Sequence, residues 1–468
     1  MRKLIPIIFI VSILCCLIAE TSQSQVKQFE RRKWINNETT TVTDDTRRLP
    51  IPPDPKGPEG TTVLRGGRIF DASGADIFIG SIVLEHNKIK KILEGDSQEW
   101  PDDATVIDVS GKTVMPGLID MHVHLTTFEP GVPPELHYNL SDATLRGIER
   151  MRYWIECGVT SVRDLCAPGD VPFRLKQWSA QNRIPGPRVF PVGQLITGTG
   201  GHGAEGRENI DPFASEVYVA DGPHEWRKAV RVQFNRGADW IKVGSHYSRE
   251  EIAAAVDEAH TLGLKVSADA ETFYIQWAVE AGADCIEHPL PRSDETIKMM
   301  VEKGTEAIPT LIPYIFIFDI AGNYFGTPSR RFTFSKAANL NVLRRMKEAG
   351  VKLGLGTDLT FDWFRHLPDA YITEMKQYLA VGYTAPEVLM TATRINAEIL
   401  DMGDKLGTLT PGKLADVIVI NGKPDKNIDE LANVELVIRD GWLVVKNGRV
   451  FVPRHPHRTG TPKGWIDR

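Results

Sequence analysis

Cysteine is scarce in this chain, and the cysteines present do not suit cross-linking. The 468 residues include five cysteines, two of which, Cys15 and Cys16, lie in an apolar leader. The other three, Cys157, Cys166 and Cys285, are too few and too scattered for a disulfide framework, even in an oxidising compartment. We interpret them as small, buried, apolar residues.

A basic surface stripe is absent as well. Lysine and arginine number 55 against 61 aspartates and glutamates, which leaves a formal net charge of −6. Without clustered basic residues the chain lacks the positive potential that attracts a phosphate backbone. Nucleic acid is therefore not an expected partner, whereas a hydrophobic content of 42% is typical of a large globular protein.

Long apolar runs are limited to residues 4–19, which follow the basic pair Arg2 and Lys3. A charged start and an apolar body are typical of an export signal, and this body is short for a stable span of about 20 residues. We predict a signal peptide over residues 1–24 and an exported protein, either periplasmic or secreted. An uncleaved membrane anchor is the alternative.

The two ends of the remaining chain have patterns of their own. Residues 25–60 are polar and then proline-rich, which predicts a disordered or extended arm, and residues 454–468 form a tail. Residues 61–115 and 406–453 have the apolar alternation of β-strands. Since neither stretch has enough strands to cover a core alone, we predict that both build one composite β-sandwich.

Between these ends, residues 116–405 alternate short apolar runs with amphipathic helical stretches, a pattern typical of an α/β protein with a parallel sheet. Eight such units predict a (β/α)8 TIM-type barrel, whose active site lies at the carboxyl ends of the strands. The predicted strands are 118–124, 160–164, 188–192, 240–243, 265–268, 285–288, 306–309 and 352–358. The predicted helices include 141–157, 223–236, 249–262 and 272–281.

The strongest local signal for a functional site is His122-Val-His124, at the end of the first predicted barrel strand. Side chains two apart on a strand project to the same side, so both imidazoles point to the mouth of the barrel and form half a metal site. The pair alone is weak, because packed core histidines are common. Lys242, His288 and Asp358 each end a later apolar run, which the barrel would gather around the same mouth.

Longer motifs surround these residues: Pro116-Gly-Leu-Ile-Asp-Met-His-Val-His, Gly158-Val-Thr-Ser-Val-Arg-Asp, Gly200-Gly-His-Gly, Ile286-Glu-His, Gly356-Thr-Asp, Ala392-Thr-Arg-Ile-Asn-Ala and Gly407-Thr-Leu-Thr-Pro-Gly-Lys-Leu-Ala-Asp-Val. Together they resemble the amidohydrolase superfamily, and within it the branch of imidazolonepropionase-like enzymes and metal-dependent Xaa-Pro dipeptidases. The resemblance runs from Val63 to Val452. It is specific for the superfamily and much less specific for a substrate.

The resemblance implies a metal-dependent hydrolase of carbon–nitrogen bonds. Hydrolysing an amide near neutral pH needs a strong nucleophile and a positive charge at the carbonyl oxygen, and divalent metals supply both. Imidazoles and carboxylates suit zinc and its neighbours. The resemblance gives Asp358 two tasks: it contacts one metal, and it moves the proton of the metal-bound water to the departing amine.

Lys242 is implied to bridge two metals. A buried ammonium beside two cations should lose its charge, and the resemblance implies that the amine reacts with carbon dioxide to give a carbamate. The alternative is an ordinary surface lysine paired with Asp239.

One position departs from the pattern of the family, because Asp269 stands where the fifth strand of relatives ends in histidine. A carboxylate still binds a hard or borderline cation, but it can equally weaken or remove the second metal. We predict an altered site that retains two zinc ions and has no organic cofactor. The ligands are His122, His124, Lys242 and Asp358 for one metal, and Lys242, Asp269 and His288 for the other.

Two more residues are implied to face the substrate. His202 lies in a glycine-rich loop whose backbone can approach a ligand closely, and the resemblance implies that it polarises the scissile carbonyl or holds a carboxylate. A plain flexible loop is the alternative. Tyr247 is a weaker candidate for substrate binding.

These features predict an exported amidohydrolase that uses metal-bound hydroxide to cleave the amide of an Xaa-Pro-like dipeptide or an N-acyl amino acid. Two alternatives stay open: a one-metal hydrolase or deaminase of a cyclic amide, and a degenerate binding protein without activity. Closed homo-oligomers are usual for such barrels, so we also expect a homo-oligomer.

Overall fold

The computed structural model describes residues 57–127, 139–206, 210–315, 324–326, 331–333, 335–360 and 362–451. The predicted signal peptide, nearly all of the predicted arm and the predicted tail lie outside these ranges. Within them, no helix has both the length and the apolar character needed to cross a bilayer.

Strands β1 to β20 are, in chain order, Thr61–Ile69, Phe78–Glu85, Lys88–Glu94, Thr105–Asp108, Thr113–Pro116, Leu118–Val123, Val159–Asp164, Arg188–Pro191, Leu195–Thr197, Val217–Val219, Trp240–Gly244, Lys265–Asp269, Cys285–Glu287, Glu306–Ile308, Tyr324–Gly326, Arg331–Thr333, Val417–Ile420, Val434–Arg439, Trp442–Lys446 and Arg449–Val450. Helices α1 to α10 are Leu140–Glu156, Val171–Ala180, Pro223–Arg236, Arg249–Thr261, Phe273–Ala281, Asp294–Lys303, Lys336–Ala349, Asp369–Ala380, Ala385–Met390 and Asn396–Ile399. Shorter helical turns cover Trp363–His366, Thr391–Ile395 and Ile428–Asn433.

Strands from both ends of the described chain form one nine-stranded sheet. Its hydrogen-bonded order is β20-β19-β18-β17-β5-β1-β2-β3, and β4 pairs with β1. The two ends meet in the antiparallel pair β5 and β17, where Val417 lies opposite Pro116. Both ends therefore share one sheet and one apolar cluster that includes Leu64, Val114 and Ile438. Its arrangement as a two-layer sandwich stays a prediction.

The middle of the chain forms parallel sheets. One has three strands in the order β6-β7-β8, and the other has six strands in the order β10-β9-β11-β12-β13-β14. Single parallel bridges pair Val123 with Leu359 and Ala307 with Leu353, so the segment from Leu353 to Leu359 touches both sheets. The predicted α/β class with parallel strands is confirmed, and a closed barrel of eight strands stays a prediction.

Seven of the predicted strands differ from the observed ones by a single residue at one end. The prediction of a strand over 352–358 is wrong, because this segment makes only isolated bridges. Side chains interrupt its ladder: the Asn396 carboxamide accepts from the Leu355 amide at 2.9 Å, and Asp120 accepts from the Thr357 amide at 3.0 Å. These side-chain bonds take the place of strand-to-strand bonds. The short strands β9 and β10 were not predicted.

Local signals define the ends of the unit that carries Lys242. Helix α3 ends at Gly237, whose φ of 101° is a left-handed conformation that glycine adopts without strain. Strand β11 follows directly. Helix α4 then begins after Ser248, which forms a capping box with Glu251. The lysine is therefore held between two well-defined helix ends.

Candidate metal centre

The structure brings all six predicted metal ligands together at the carboxyl ends of the parallel strands. Four of them lie in or directly after strands β6, β11 and β12: His122, His124, Lys242 and Asp269. His288 follows β13, and Asp358 lies in the bridged segment beside β6. The side chain of His122 is fully buried, whereas those of His124 and Asp358 are 13% and 15% exposed. The centre is thus buried on one side and open on the other.

His122, His124 and Asp358 form the first of two groups. Oδ1 of Asp358 lies 3.4 Å from Nε2 of His122 and 3.1 Å from Nε2 of His124. One ligand atom from each of the three residues lies within 4.8 Å of the others. The predicted projection of both imidazoles to one side of the strand is therefore observed.

The second group surrounds Asp269. Its Oδ2 atom lies 3.1 Å from Nζ of Lys242, 3.1 Å from Nε2 of His288 and 3.2 Å from Nε2 of His202. Nζ of Lys242 also lies 3.4 Å from Nε2 of His122, which joins the two groups. The lysine therefore stands between them, and its side chain is 1% exposed.

The donor atoms of the first group fit a divalent metal. Ligands at the 2.0–2.1 Å typical of zinc lie about 3.3 Å apart around a tetrahedron, and Oδ1 of Asp358 lies at 3.4 and 3.1 Å from the two imidazole nitrogens. Oδ2 of Asp269 is buried, and three side-chain nitrogens lie 3.1–3.2 Å from it. Carboxylates and neutral imidazoles are the ligand types that suit zinc and its neighbours.

Unusual backbone conformations occur at two of the predicted ligands. His288 has a φ of 67° and Asp358 a φ of 50°, in a region that residues other than glycine adopt at a cost. Backbone bonds hold both in place: the His288 amide donates to Ile308 O at 2.9 Å, and the Asp358 amide donates to His122 O at 2.7 Å. Such strain is concentrated at functional sites, where it directs side chains.

A family match accompanies this geometry. The model of the amidohydrolase family matches residues 113–444. The chain belongs to the amidohydrolase family.

Individual relatives agree with this assignment. An amidohydrolase of known crystal structure is 34% identical, with a TM-score of 0.74 over 83% of this chain and 100% of that chain. A prolidase solved with N-methylphosphonate-L-proline is 29% identical, with a TM-score of 0.73 over 83% of this chain and 100% of that chain. Imidazolonepropionase of Geobacillus sp. (strain WCH70) is 26% identical over 79% of this chain and 91% of its own. The homologues of this chain are hydrolases that act on carbon–nitrogen bonds.

Glu287 supports the first histidine of this amidohydrolase, a role that the sequence analysis missed. Its Oε2 lies 2.8 Å from Nδ1 of His122, and its Oε1 accepts from Arg163 at 2.6 Å and from the Ser267 hydroxyl. All four side chains are buried. A carboxylate on the far nitrogen of a ligand histidine fixes the tautomer and orients the ring. Its sequence signal was an acidic residue in the otherwise apolar strand β13.

Asp120 also supports the site through buried hydrogen bonds. Its carboxylate accepts from the His122 amide at 3.1 Å, from the Thr357 hydroxyl at 2.7 Å and from the Trp154 indole at 3.2 Å. It therefore ties β6 to the segment that carries Asp358. Burial raises the pKa of Asp120 to about 6, although the hydrogen bonds oppose this shift. An acidic residue inside an apolar strand was again the available signal.

The charges of the amidohydrolase site favour metal-binding forms of His122, His124 and Asp358. Burial lowers the pKa of His122 and of His124, and the positive charge of Lys242 lowers both further. Neutral imidazole is the form that binds metal. Burial alone would raise the pKa of Asp358, but His122, His124 and His288 hold it below the usual range. Both imidazoles and the carboxylate thus have the required protonation.

The pKa of Lys242 is shifted upwards, which favours its charged form. Burial alone would lower its pKa, but the negative charges of Asp269 and Asp358 raise it above the ordinary value. Without a metal, the lysine is therefore an ammonium paired with Asp269. The alternative pairing with Asp239 is wrong, since Asp239 binds Lys176 at 2.6 Å and Lys242 points into the site.

The two predicted substrate residues occupy different surroundings. His202 contacts Asp269, and its side chain is 32% exposed. Tyr247 is buried between Trp226 and Tyr274, and its hydroxyl donates to Tyr274 O at 2.8 Å. Contact of either residue with a substrate stays a prediction.

Proposed function

We propose that this amidohydrolase cleaves the amide bond of an Xaa-Pro-like dipeptide or an N-acyl amino acid at a centre of two zinc ions. The observation that carries the proposal is the meeting of two donor groups on either side of Lys242. The similarity to a prolidase solved with a proline-containing phosphonate supports the substrate class. Both the chemistry and the substrate remain proposals for this chain.

The residues divide into two ligand sets. His122, His124 and Asp358 hold the first metal, Asp269 and His288 hold the second, and Lys242 lies between them. As a carbamate, Lys242 would present a carboxylate to both sets and would no longer carry a positive charge. When bound, divalent metals lower the pKa of water and polarise the carbonyl oxygen of the substrate.

Asp358 is the proposed proton carrier. It is partly exposed, and Oδ1 faces the two histidines while Oδ2 lies 3.9 Å from Nδ1 of His288. One oxygen can therefore remain with the ligands while the carboxylate takes a proton from the attacking water and delivers it to the leaving amine. The pKa of Asp358 lies below the usual range, so the carboxylate is ionised before the water attacks.

The proposal also includes the arrangement of the sheets, the export of the chain and its oligomeric state. We place the three-stranded and six-stranded parallel sheets in one (β/α)8 barrel, with the nine-stranded sheet as a composite sandwich beside it. The bridges of Leu353 and Leu359 to both parallel sheets support this arrangement. Export through a signal peptide and a homo-oligomeric state are proposed from the sequence pattern alone.

The test is metal analysis combined with a substrate screen. Purified protein should contain close to two zinc ions per chain and hydrolyse members of a panel of Xaa-Pro dipeptides and N-acyl amino acids. A chelator should abolish this activity, and added zinc should restore it. A protein that holds no stoichiometric metal and shows no chelator-sensitive amidase activity would contradict the proposal.

A second candidate is a one-metal hydrolase of cyclic amides. The similarity to an imidazolonepropionase favours it. A stoichiometry of one metal per chain, with activity on cyclic amides and none on dipeptides, would select this alternative.

A further inference from the structure

An aromatic cluster lies beside the candidate metal centre and has no part in the chemistry proposed above. It consists of His246, Phe273, Tyr274 and Trp277. His246 follows strand β11, and the other three lie within the first five residues of helix α5, which follows strand β12. In parallel α/β sheets, ligands bind beyond the carboxyl ends of the strands. The cluster is therefore on the same edge of the sheet as the predicted metal ligands.

The rings of the aromatic cluster contact one another around Tyr274. The centroid of Tyr274 lies 4.4 Å from that of Phe273 and 5.5 Å from that of Trp277. The ring of His246 stacks on Tyr274 at 5.5 Å. Separations of about 4.5–7 Å are typical of attractive aromatic pairs. The four side chains thus form one continuous surface.

Short hydrogen bonds join the aromatic cluster to the strand end that carries Asp269. The Ser245 amide donates to Asp269 O at 3.1 Å, and the Ser245 hydroxyl donates to Oε2 of Glu271 at 2.5 Å. Ser245 directly precedes His246, and Glu271 lies two residues before Phe273. The two loops that carry the cluster are therefore fixed to each other and to the edge of the candidate centre.

Tyr247 supports the aromatic cluster from the protein interior. It is 4% exposed, its ring meets that of Tyr274 edge-on at 5.2 Å, and its hydroxyl donates to Tyr274 O at 2.8 Å. Trp226 packs against Tyr247 in turn, with centroids 5.8 Å apart. This buried contact holds Tyr274 in place.

Phe273 presents the aromatic cluster to solvent. It is 51% exposed, whereas the other three members are partly buried. Single exposed apolar residues are ordinary, but contiguous exposed apolar surface marks binding sites. Thr272, directly before Phe273, has a φ of 50° and a ψ of −122°, a conformation that a β-branched residue adopts at a cost. Such strain is concentrated at functional sites.

The charged side chains at the edge of the aromatic cluster are already paired. The guanidinium of Arg249 lies 5.0 Å from the ring centroid of Trp277 and binds Glu280. The carboxylate of Glu271 accepts from Ser245. A ligand of this surface therefore gains from apolar contact and finds no unpaired charge among these groups, which favours an uncharged aromatic or aliphatic occupant.

We infer that the aromatic cluster is a specificity subsite that takes an aromatic or large aliphatic side chain of the substrate. The continuity of the cluster with the strand ends makes the substrate its occupant. This inference rests on the amide hydrolysis proposed above and adds to it the side chain that the enzyme selects. Phe273 acts on the choice of substrate, because it offers the exposed ring of the cluster.

The test compares substrates that differ only in one side chain. With purified full-length protein, kcat/KM is measured for Phe-Pro against Gly-Pro and for N-acetylphenylalanine against N-acetylglycine. We expect the aromatic member of at least one pair to be preferred by about tenfold or more, the ratio that burial of a benzyl group supplies. In Phe273→Ala this preference should fall by about threefold or more, and Phe273→Leu should retain more of it.

Trp178→Ala is the matched control. Trp178 is a similarly exposed aromatic residue, at 43%, and its ring lies 3.9 Å from the guanidinium of Arg183. It lies in the last turn of helix α2, whereas Phe273 begins helix α5. The preference for the aromatic substrate should be the same in Trp178→Ala as in wild type.

Saturation-transfer NMR measures binding without turnover. In chelator-treated protein, the ring protons of N-acetylphenylalanine should receive saturation from wild type and from Trp178→Ala. The signal should be weaker with Phe273→Ala. Circular dichroism confirms that each variant is folded before either measurement.

Two results would overturn the inference: equal kcat/KM within both substrate pairs, or an unchanged aromatic preference in folded Phe273→Ala. If N-acetylphenylalanine binds through Phe273 but neither class of substrate is hydrolysed, the subsite stands and the proposed function fails. If the glycine and phenylalanine members are hydrolysed equally well, the proposed function stands and the subsite fails.

Discussion

Oε2 of Glu287 lies 2.8 Å from Nδ1 of His122, and neither side chain is exposed to solvent. The other oxygen of Glu287 binds Arg163 at 2.6 Å. A guanidinium, a carboxylate and the imidazole of His122 therefore form one buried chain that ends at the candidate metal centre. This chain determines which nitrogen of His122 is available to a metal.

Glu287→Gln should weaken zinc binding by about 10- to 100-fold, the usual cost of losing the partner that orients a ligand histidine. The measurement is a competition titration with a zinc-binding dye on protein that circular dichroism shows to be folded. Glu306→Gln is the matched control, because Glu306 is also buried but lies at the opposite end of its strand, near Lys265 and Lys352. Equal zinc affinities in wild type and Glu287→Gln would contradict this role.

A carbamate on Lys242 should be detectable directly. Zinc-loaded protein equilibrated with ¹³C-bicarbonate should show a carbamate carbon resonance that is absent from Lys242→Met, and the variant should retain less than half of the bound zinc. Lys265→Met is the control, since Lys265 is paired with Asp401 at 3.0 Å away from the ligands. An unmodified lysine in zinc-loaded, active wild type would rule out the carbamate.

The variant Asp269→His distinguishes an active site that uses the carboxylate from a site that has lost its activity with the histidine. We expect it to lower kcat/KM by about tenfold or more, because the carboxylate contacts both Lys242 and His288 and is one of the proposed ligands of the second metal. The measurement compares kcat/KM and bound zinc of the variant with those of wild type. A large gain of activity would instead identify the present protein as a degenerate descendant.

Glu374 should make the stability of the protein depend on pH. Oε2 accepts from the Ile312 amide at 2.9 Å, and Oε1 has no hydrogen-bond partner among the described residues. Burial raises the pKa of Glu374 from 4.5 to about 8, opposed by the backbone hydrogen bonds of Leu311 and Ile312 and assisted by the negative charges of Asp120 and Asp358. The folded protein then holds a proton that the unfolded chain releases.

The sign of the effect follows from this proton. The contribution to stability is complete below pH 4.5 and is lost as the pH rises towards 8, so the free energy of unfolding should fall by up to about 1.4 kcal/mol per pH unit in this interval. Denaturant unfolding of wild type and Glu374→Gln at pH 5 and 8 isolates the contribution of Glu374, because the other buried carboxyls titrate in both proteins. The variant should lose less stability than wild type over this range, and identical losses would contradict the prediction.

Much of the fold could be predicted because its signals are local. Helix α3 was predicted with its observed bounds, since a proline begins it and a glycine ends it. Strands such as β11 and β12 were predicted to within a residue because apolar runs between helices define them. The segment 352–358 was predicted wrongly, since its ladder is interrupted by the side chains of Asn396 and Asp120, which come from distant parts of the chain.

The candidate ligands in the strands have local sequence signals, but the residues that support them do not. His122 and His124 form a motif, whereas Glu287 and Asp120 are single acids in apolar strands. A buried ion pair without any role at the site would give the same sequence pattern. No sequence spacing connects Glu287 with His122 or Arg163. Only their meeting in the folded protein assigns them a role.

The amino-acid sequence alone determined the class of this protein, its alternation of strands and helices, and the residue types at the strand ends, because each depends on neighbours within a few positions. The tertiary structure decided which of these side chains meet. It brought His202 to Asp269 and paired Lys242 with the same carboxylate. These contacts join residues that are far apart along the chain, so their distances depend on the packing of whole strands and loops, which no local pattern encodes.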